Sequence, residues 1–123
     1  MLIKVKKEIL IAFANATQGA SLEQIIYMID QDVIYMLMSG LEIQDPKLIL
    51  SILDAFDNLL DANHECNKIR KKFNFGENRI FEELEKYNID KVLSELQKFP
   101  VKEVYQKVIQ IVERHFAHEE ILN

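Results

Sequence analysis

The stretch DPKLILSILDAFDNLL, Asp45 to Leu60, decides the class of fold. Asp45 is a good helix N-cap, and Pro46 stands at the first helical position, where its missing N–H costs nothing. Leu48, Ile49, Ile52, Leu53, Phe56, Leu59 and Leu60 then recur at three- and four-residue steps as one broad apolar stripe. The pattern predicts a long core helix ending near Ala62. On either side of it the same helical period continues, and strand-type alternation is almost absent.

Upstream, Leu2, Val5, Ile9, Ala12, Phe13 and Ala16 predict a helix over residues 2–18, stopped by Gly19. The opening MLIKVKKEILIAFANAT has some of the composition of a signal or transit segment. Glu8 interrupts it and no A-x-A-like site follows, so it reads as a structural helix. Ser21 with Gln24 three residues on is a capping-box pattern and starts a short helix with Ile25, Ile26 and Met28 inward. A third helix is expected over residues 31–41, carrying Val33, Ile34, Met36, Leu37 and Met38.

Downstream, NHECNKIRKKFNFG, Asn63 to Gly76, is polar and basic and reads as a loop or a frayed helix end. A helix over residues 77–87 comes next, with Ile80, Phe81 and Leu84 inward. Asn88 tolerates the left-handed conformation of a tight turn. A short helix over residues 89–97 buries Val92, Leu93 and Leu96. Phe99-Pro100 breaks the chain before a last helix over residues 101–116, whose inward stripe is Val101, Val104, Val108, Ile111, Val112 and His115 or Phe116. The tail AHEEILN is expected to fray.

Composition narrows the function. The chain has 123 residues, 49% of them hydrophobic, which suits one compact all-α domain with a continuous core. A net charge of -5 argues against a nucleic-acid binder, which needs a basic footprint. The single cysteine, Cys66, excludes an internal disulfide and fits a reducing compartment. No long uncharged apolar run occurs, so no membrane-spanning helix is expected.

The candidate chemical features are weak. Lys68, Arg70, Lys71 and Lys72 form a basic run in the expected loop, which reads as a solvated connection. His115 with His118, and His64 with Cys66, are pairs at metal-ligand spacing, but neither supplies a third and fourth ligand nearby. Glu77, Glu82, Glu83 and Glu85 read as a wet helix face rather than an acid–base pair. With no Gly-rich phosphate loop and no nucleophile–base constellation, the chain reads as a non-enzyme without metal, cofactor or small-molecule substrate.

The helix lengths say more. Their order is long, short, medium, long, then medium, short, long. Asn15 and Asn58, 43 residues apart, hold like places near the ends of two long helices. A helical period of about 40–47 residues is that of armadillo or HEAT repeats, which stack into a solenoid and bury their core against neighbours. The central turns of the first helix, Ile9 to Phe13, are apolar in succession, and residues 2–13 are therefore expected to self-associate.

Three segments resemble the importin alpha family. KEILIAFANATQGASLEQIIYMIDQDVI, Lys7 to Ile34, is similar to the family's eighth armadillo repeat, matching at Lys7, Glu8, Ala12, Asn15, Thr17, Gly19, Glu23, Gln24, Ile25 and Tyr27. DPKLILSILDAFDNLL is similar to the third helix of the ninth repeat. IDKVLSELQ with EVYQKVIQIVERHF, within Ile89 to Phe116, resembles the tenth. The resemblance implies an armadillo-type right-handed superhelical solenoid of about two and a third repeats in a single domain, 1–123. Residues 1–18 would be the last helix of a partial repeat, 21–62 and 77–116 the next two repeats, 63–76 a loop and 117–123 a tail. On this reading the chain opens inside a repeat, without the family's autoinhibitory importin-beta-binding segment or the repeats of its major signal site.

The resemblance also implies a function and its residues. Importin alpha proteins shuttle between nucleus and cytoplasm, carrying cargo with basic localisation signals. Their last repeats meet the recycling exportin and a nucleoporin. The eighth repeat lines a minor signal groove with a Glu, a Trp and an Asn. Glu8 and Asn15 stand at the Glu and Asn positions, and Ile11 at the Trp position. Ile11 packs a side-chain stem but offers no cation–π contact, worth about 0.5–2 kcal/mol. Asp54 and Asn58 hold the equivalent places in the next repeat. The partner surface of the last repeat falls on Glu103, Tyr105, Lys107 and Glu113, polar positions that also serve as the cap a solenoid end requires. The expected partners are thus proteins: exportin, nucleoporin and basic-signal cargo, with neither nucleic acid nor membrane. A generic armadillo or HEAT scaffold outside import is the other reading.

Overall fold

A computed structural model describes residues 2–73 and 79–116. Within them lie seven α-helices, one short 3-10 segment and no strand. The helices are α1 (Ile3–Ala16), α2 (Leu22–Asp30), α3 (Val33–Gly40), α4 (Pro46–Phe73), α5 (Arg79–Lys86), α6 (Ile89–Leu96) and α7 (Lys102–His115). The 3-10 turn Leu41–Ile43 joins α3 to the cap of α4. The tail 117–123, residues 74–78, and the side chains of Arg70, Lys71 and Lys72 lie outside the described structure.

α4 organises the fold. Asp45 Oδ1 accepts from Lys47 N at 2.9 Å and more weakly from Leu48 N at 3.4 Å, capping the helix behind which Pro46 begins. Leu48, Ile49, Ile52, Leu53, Phe56, Leu59 and Leu60 are all buried, joined by Ala55. One side of α4 packs on α1 and the other on α7, while α2, α3 and α5 also rest against it. At 28 residues it is about 42 Å long.

The expected loop at 63–76 is corrected over its first eleven residues, because α4 runs unbroken to Phe73. Lys, Arg and Glu are good helix formers, and no Gly or Pro occurs between Pro46 and Gly76. Asn63 is buried, and its Oδ1 accepts from Phe81 N at 3.2 Å, tying α5 to α4. Ala62 and Cys66 continue the apolar side beyond it.

Two helix pairs lie beside α4 and share one turn. Asp32, before α3, and Asn88, before α6, both take left-handed φ values, 63° and 58°. Each is followed by a buried β-branched residue, Val33 or Ile89. Asp and Asn visit this region more readily than other residues with a Cβ. The expected third helix therefore begins at Val33 rather than Gln31. The capping box holds as read: Ser21 Oγ accepts from Gln24 N at 3.1 Å, and Gln24 Oε1 accepts from Ser21 N at 2.9 Å. The pairs meet through Tyr35 and Tyr87, ring centroids 6.1 Å apart, and an Arg79–Asp30 ion pair.

The stripe read on α1 is corrected. The core side of α1 is Leu10, Ala14 and Thr17, one step round from the stripe. Leu2, Val5, Ala12 and Ala16 are exposed, and Ile9 and Phe13 half-buried. This helix is apolar on nearly every side, so periodicity could not choose a face. Smaller shifts occur elsewhere: Ile26, Met28, Met36, Met38, Phe81, Val92 and Val101 sit half-buried at the edges of a core that Ile29, Gly40 and Ile89 complete. No described helix is long and apolar enough to cross a membrane.

Candidate protein-binding groove and end helix

The row α1, α4, α7 sets one groove. Its walls are Ala14, Asn15 and Gln18 from α1, Asp54, Asp57 and Asn58 from α4, and Lys107 from α7, around a volume of about 230 Å³. Asn15, Asp54 and Asn58, three of the residues named from sequence, line it together. Glu8 stands two turns before Asn15 on α1, exposed, and Ile11 is half-buried against the core. Asn58 is partly committed: its Nδ2 donates to Thr17 Oγ1 at 3.0 Å, and buried Thr17 donates to Ala14 O at 2.7 Å.

Lys107 occupies a place the sequence did not suggest. Its ammonium lies 3.0 Å from Asp54 and 3.2 Å from Asp57, so it faces the groove and not the end surface. The rest of α7 continues the pairing. Arg114 bridges Asp57 at 2.5 Å and Asp61 at 2.8 Å, and His115 Nε2 lies 2.7 Å from Asp57 Oδ1. The His115 side chain is only 2% exposed and stacks on His64, centroids 5.6 Å apart.

The electrostatics derive from this geometry. Burial pushes the Asp57 carboxyl up, but His115, Lys107 and Arg114 outweigh it and hold it below the usual carboxylate range. Burial lowers the Lys107 ammonium, and Asp54 and Asp57 more than compensate, leaving it raised. The Asp61 hydrogen bond and the Asp57 charge raise Arg114.

Ligand atoms of Asp57, Asp61 and His115 lie within 4.8 Å of one another, a spacing compatible with a metal. The Arg114 guanidinium already bridges both carboxylates, so the cluster has its cation. His64 joins His115 here rather than Cys66; His118 lies outside the described residues.

Glu103, Tyr105 and Glu113 are exposed on α7, Tyr105 to 44%. Neither glutamate makes an ion pair among the described residues. Sequence reasoning missed Asp57, Asp61, Arg114 and Thr17. The available signal was a pair of ladders, Asp54, Asp57 and Asp61 on one helix with Lys107 and Arg114 on another. Nothing local shows that these two helices are neighbours.

Comparison with known proteins gives distant homology. The chain is 32% identical over 104 residues to importin subunit alpha-2 of Arabidopsis thaliana, covering 83% of this chain and 19% of that protein. It is 36% identical over 99 residues to importin subunit alpha-4 of the same plant, 80% of this chain and 18% of that one. Importin subunit alpha of Saccharomyces cerevisiae matches at 33% over 94 residues, 76% of this chain and 17% of that protein. The chain therefore spans about a fifth of the length of the curated relatives it matches. No protein-family model matches it, and no solved structure does.

Proposed function

We propose that this chain is the C-terminal part of an importin-alpha-like nuclear import adaptor that shuttles between nucleus and cytoplasm. Its helices form an armadillo-type right-handed solenoid of about two and a third repeats, corresponding to the eighth to tenth. It holds a recycling exportin or a nucleoporin on α7, through the exposed Glu103, Tyr105 and Glu113. It takes basic localisation signals only weakly, along the groove of Asn15, Asp54 and Asn58. On this reading it has no catalytic role.

The observation that carries the proposal is the row α1, α4, α7 with Asn15 and Asn58 on successive helices beside one groove, in a chain homologous to importin alpha proteins. An asparagine repeated along such a row suits the backbone of an extended peptide, which presents a donor and an acceptor at each residue. The weakness of signal binding comes from Lys107 and Ile11. A signal's lysine must displace Lys107 from Asp54 at 3.0 Å, and Ile11 offers no aromatic face beneath its stem. The end helix carries Glu103 and Glu113, exposed and without an ion pair among the described residues, and an exposed Tyr105, a composition suited to a partner with basic groups.

The neutralised groove favours one other reading, a generic armadillo or HEAT scaffold outside import. A pull-down with the recycling exportin, the nucleoporin fragment and a basic signal peptide separates the two. Retention of exportin or nucleoporin is expected, with the peptide weak. Binding to none of the three overturns the transport reading.

A further inference from the structure

A second groove lies between the two helix pairs. Its walls come from residues 38–44 and 87–99, and none of its lining belongs to α1, α4 or α7. One wall is Met38, Leu41 and Glu42, at steps of three and four along α3 and the 3-10 turn. The other is Val92, Glu95 and Phe99, one face of α6 and the turn behind it. Tyr87, in the turn between α5 and α6, also lines it. The volume is about 390 Å³, within the range of ordinary binding clefts. The apolar side chains are half-buried and packed on the core, which holds them in place. Glu42 and Glu95 are exposed, and neither makes an ion pair among the described residues. No lysine, arginine or histidine is in the lining. Lys86 stands over the Tyr87 ring, 5.6 Å from its centroid, outside that lining.

We infer that this groove binds a protein segment in which one aromatic side chain is flanked by lysine or arginine. The floor selects the aromatic ring. The Met38 sulfur and the Tyr87 and Phe99 rings are the neighbours an aromatic side chain packs against best. Tyr87 is itself held by Tyr35, centroids 6.1 Å apart, so part of the contact is formed in advance. The rim selects the flanks. Each wall ends in one carboxylate, and a basic residue on either side of the ring meets Glu42 or Glu95. The same carboxylates repel phosphate, which argues against nucleic acid or an anionic lipid surface. In the groove of α1, α4 and α7 a basic side chain must displace Lys107 from its aspartates. Here no cation of the lining stands in the way, so charge complementarity is available to a partner outright. The inference does not depend on the signal groove or on the α7 surface.

The test is a titration of the isotope-labelled 123-residue chain with the peptide SKRFRKS, from about 10 µM to 1 mM, followed by NMR shifts. Shifts are expected at residues 38–44 and 87–99. The peptide SKRARKS lacks the ring, and SEEFEES reverses the flanking charges. Each should bind at least tenfold more weakly. Glu42→Lys with Glu95→Lys, both at exposed positions, should weaken SKRFRKS at least tenfold, strengthen SEEFEES, and leave the melting temperature unchanged. Four outcomes each overturn the inference: no binding of SKRFRKS, shifts confined to Asn15, Asp54 and Asn58, equal binding of SKRARKS, or an affinity indifferent to the double reversal. The second of them leaves the signal groove standing, so the two readings fail separately.

Discussion

Replacing Asp57 by Ala tests how α7 is held to α4. Asp57 accepts from three side chains of α7, and the cost depends on what each has left. Lys107 keeps Asp54 at 3.0 Å and Arg114 keeps Asp61 at 2.8 Å; their side chains are 18% and 43% exposed. Their losses are therefore small, about 0.5 kcal/mol each. His115 is 2% exposed, and its next carboxylate oxygen, on Asp61, is 3.8 Å away, beyond hydrogen-bond reach. Leaving that ring nitrogen unsatisfied costs about 1–3 kcal/mol. The sum is about 2–4 kcal/mol, or a melting temperature lower by roughly 10 °C for a chain of this size. Asp57→Asn keeps an acceptor for His115 and should lose about half as much.

The assay is urea and thermal unfolding followed by circular dichroism. The pH dependence supplies a second readout. Asp57 is held below its ordinary value, so as acid is added the unfolded chain takes up the proton first. Its contribution is full above about pH 5 and is lost below about pH 4, as the pH falls through the folded-state value. The gap between wild type and Asp57→Ala should therefore be flat from neutral to about pH 5 and close below that. A loss under about 0.5 kcal/mol at neutral pH, or a gap that stays constant into acid, would refute the reasoning.

Three further outcomes are expected, each read by the same unfolding assay. Phe56→Ala empties the centre of the core, where Phe56 is fully buried, and should cost about 3–5 kcal/mol. Gly40→Ala places a Cβ 2.8 Å from Leu10 Cδ1 and 2.9 Å from Ile52 Cδ1, but both are side-chain ends that can shift and Ala favours the helix over Gly by about 1 kcal/mol, so the net change should stay within about 1 kcal/mol. Asp45→Ala removes the α4 cap and the Lys7 pair at 2.8 Å, for about 1–2 kcal/mol, whereas Asp45→Asn keeps the cap and should lose only a few tenths.

The parts of the fold legible from sequence were those with one sharply apolar face. The stripe of α4 from Leu48 to Leu60, the Ser21–Gln24 box and the Asn88 turn all derive from local chemistry. α1 did not, because it is apolar almost all round and only its neighbours decide that Leu10 and Ala14 face inward. The second half of α4 was hidden by polarity: Asn63 reads as a loop residue until Phe81 N is seen to need its oxygen. In the groove, Asn15 and Asn58 stand out in the sequence by their 43-residue separation at like places on two long helices, whereas Asp54, one turn before Asn58 on α4, entered only through the family resemblance. Lys107 was not legible, because its partners are 50 and 53 residues away in the chain. That ion network decides the balance of the site, neutralising the carboxylates a basic peptide would use.

The most direct measurement is the affinity of the 123-residue chain for the recycling exportin and for the nucleoporin fragment, with and without Glu103→Lys and Glu113→Lys. Binding of at least one, weakened tenfold or more by the double reversal while the melting temperature is unchanged, is the predicted result. Binding of neither, or binding indifferent to both reversals, would contradict the account.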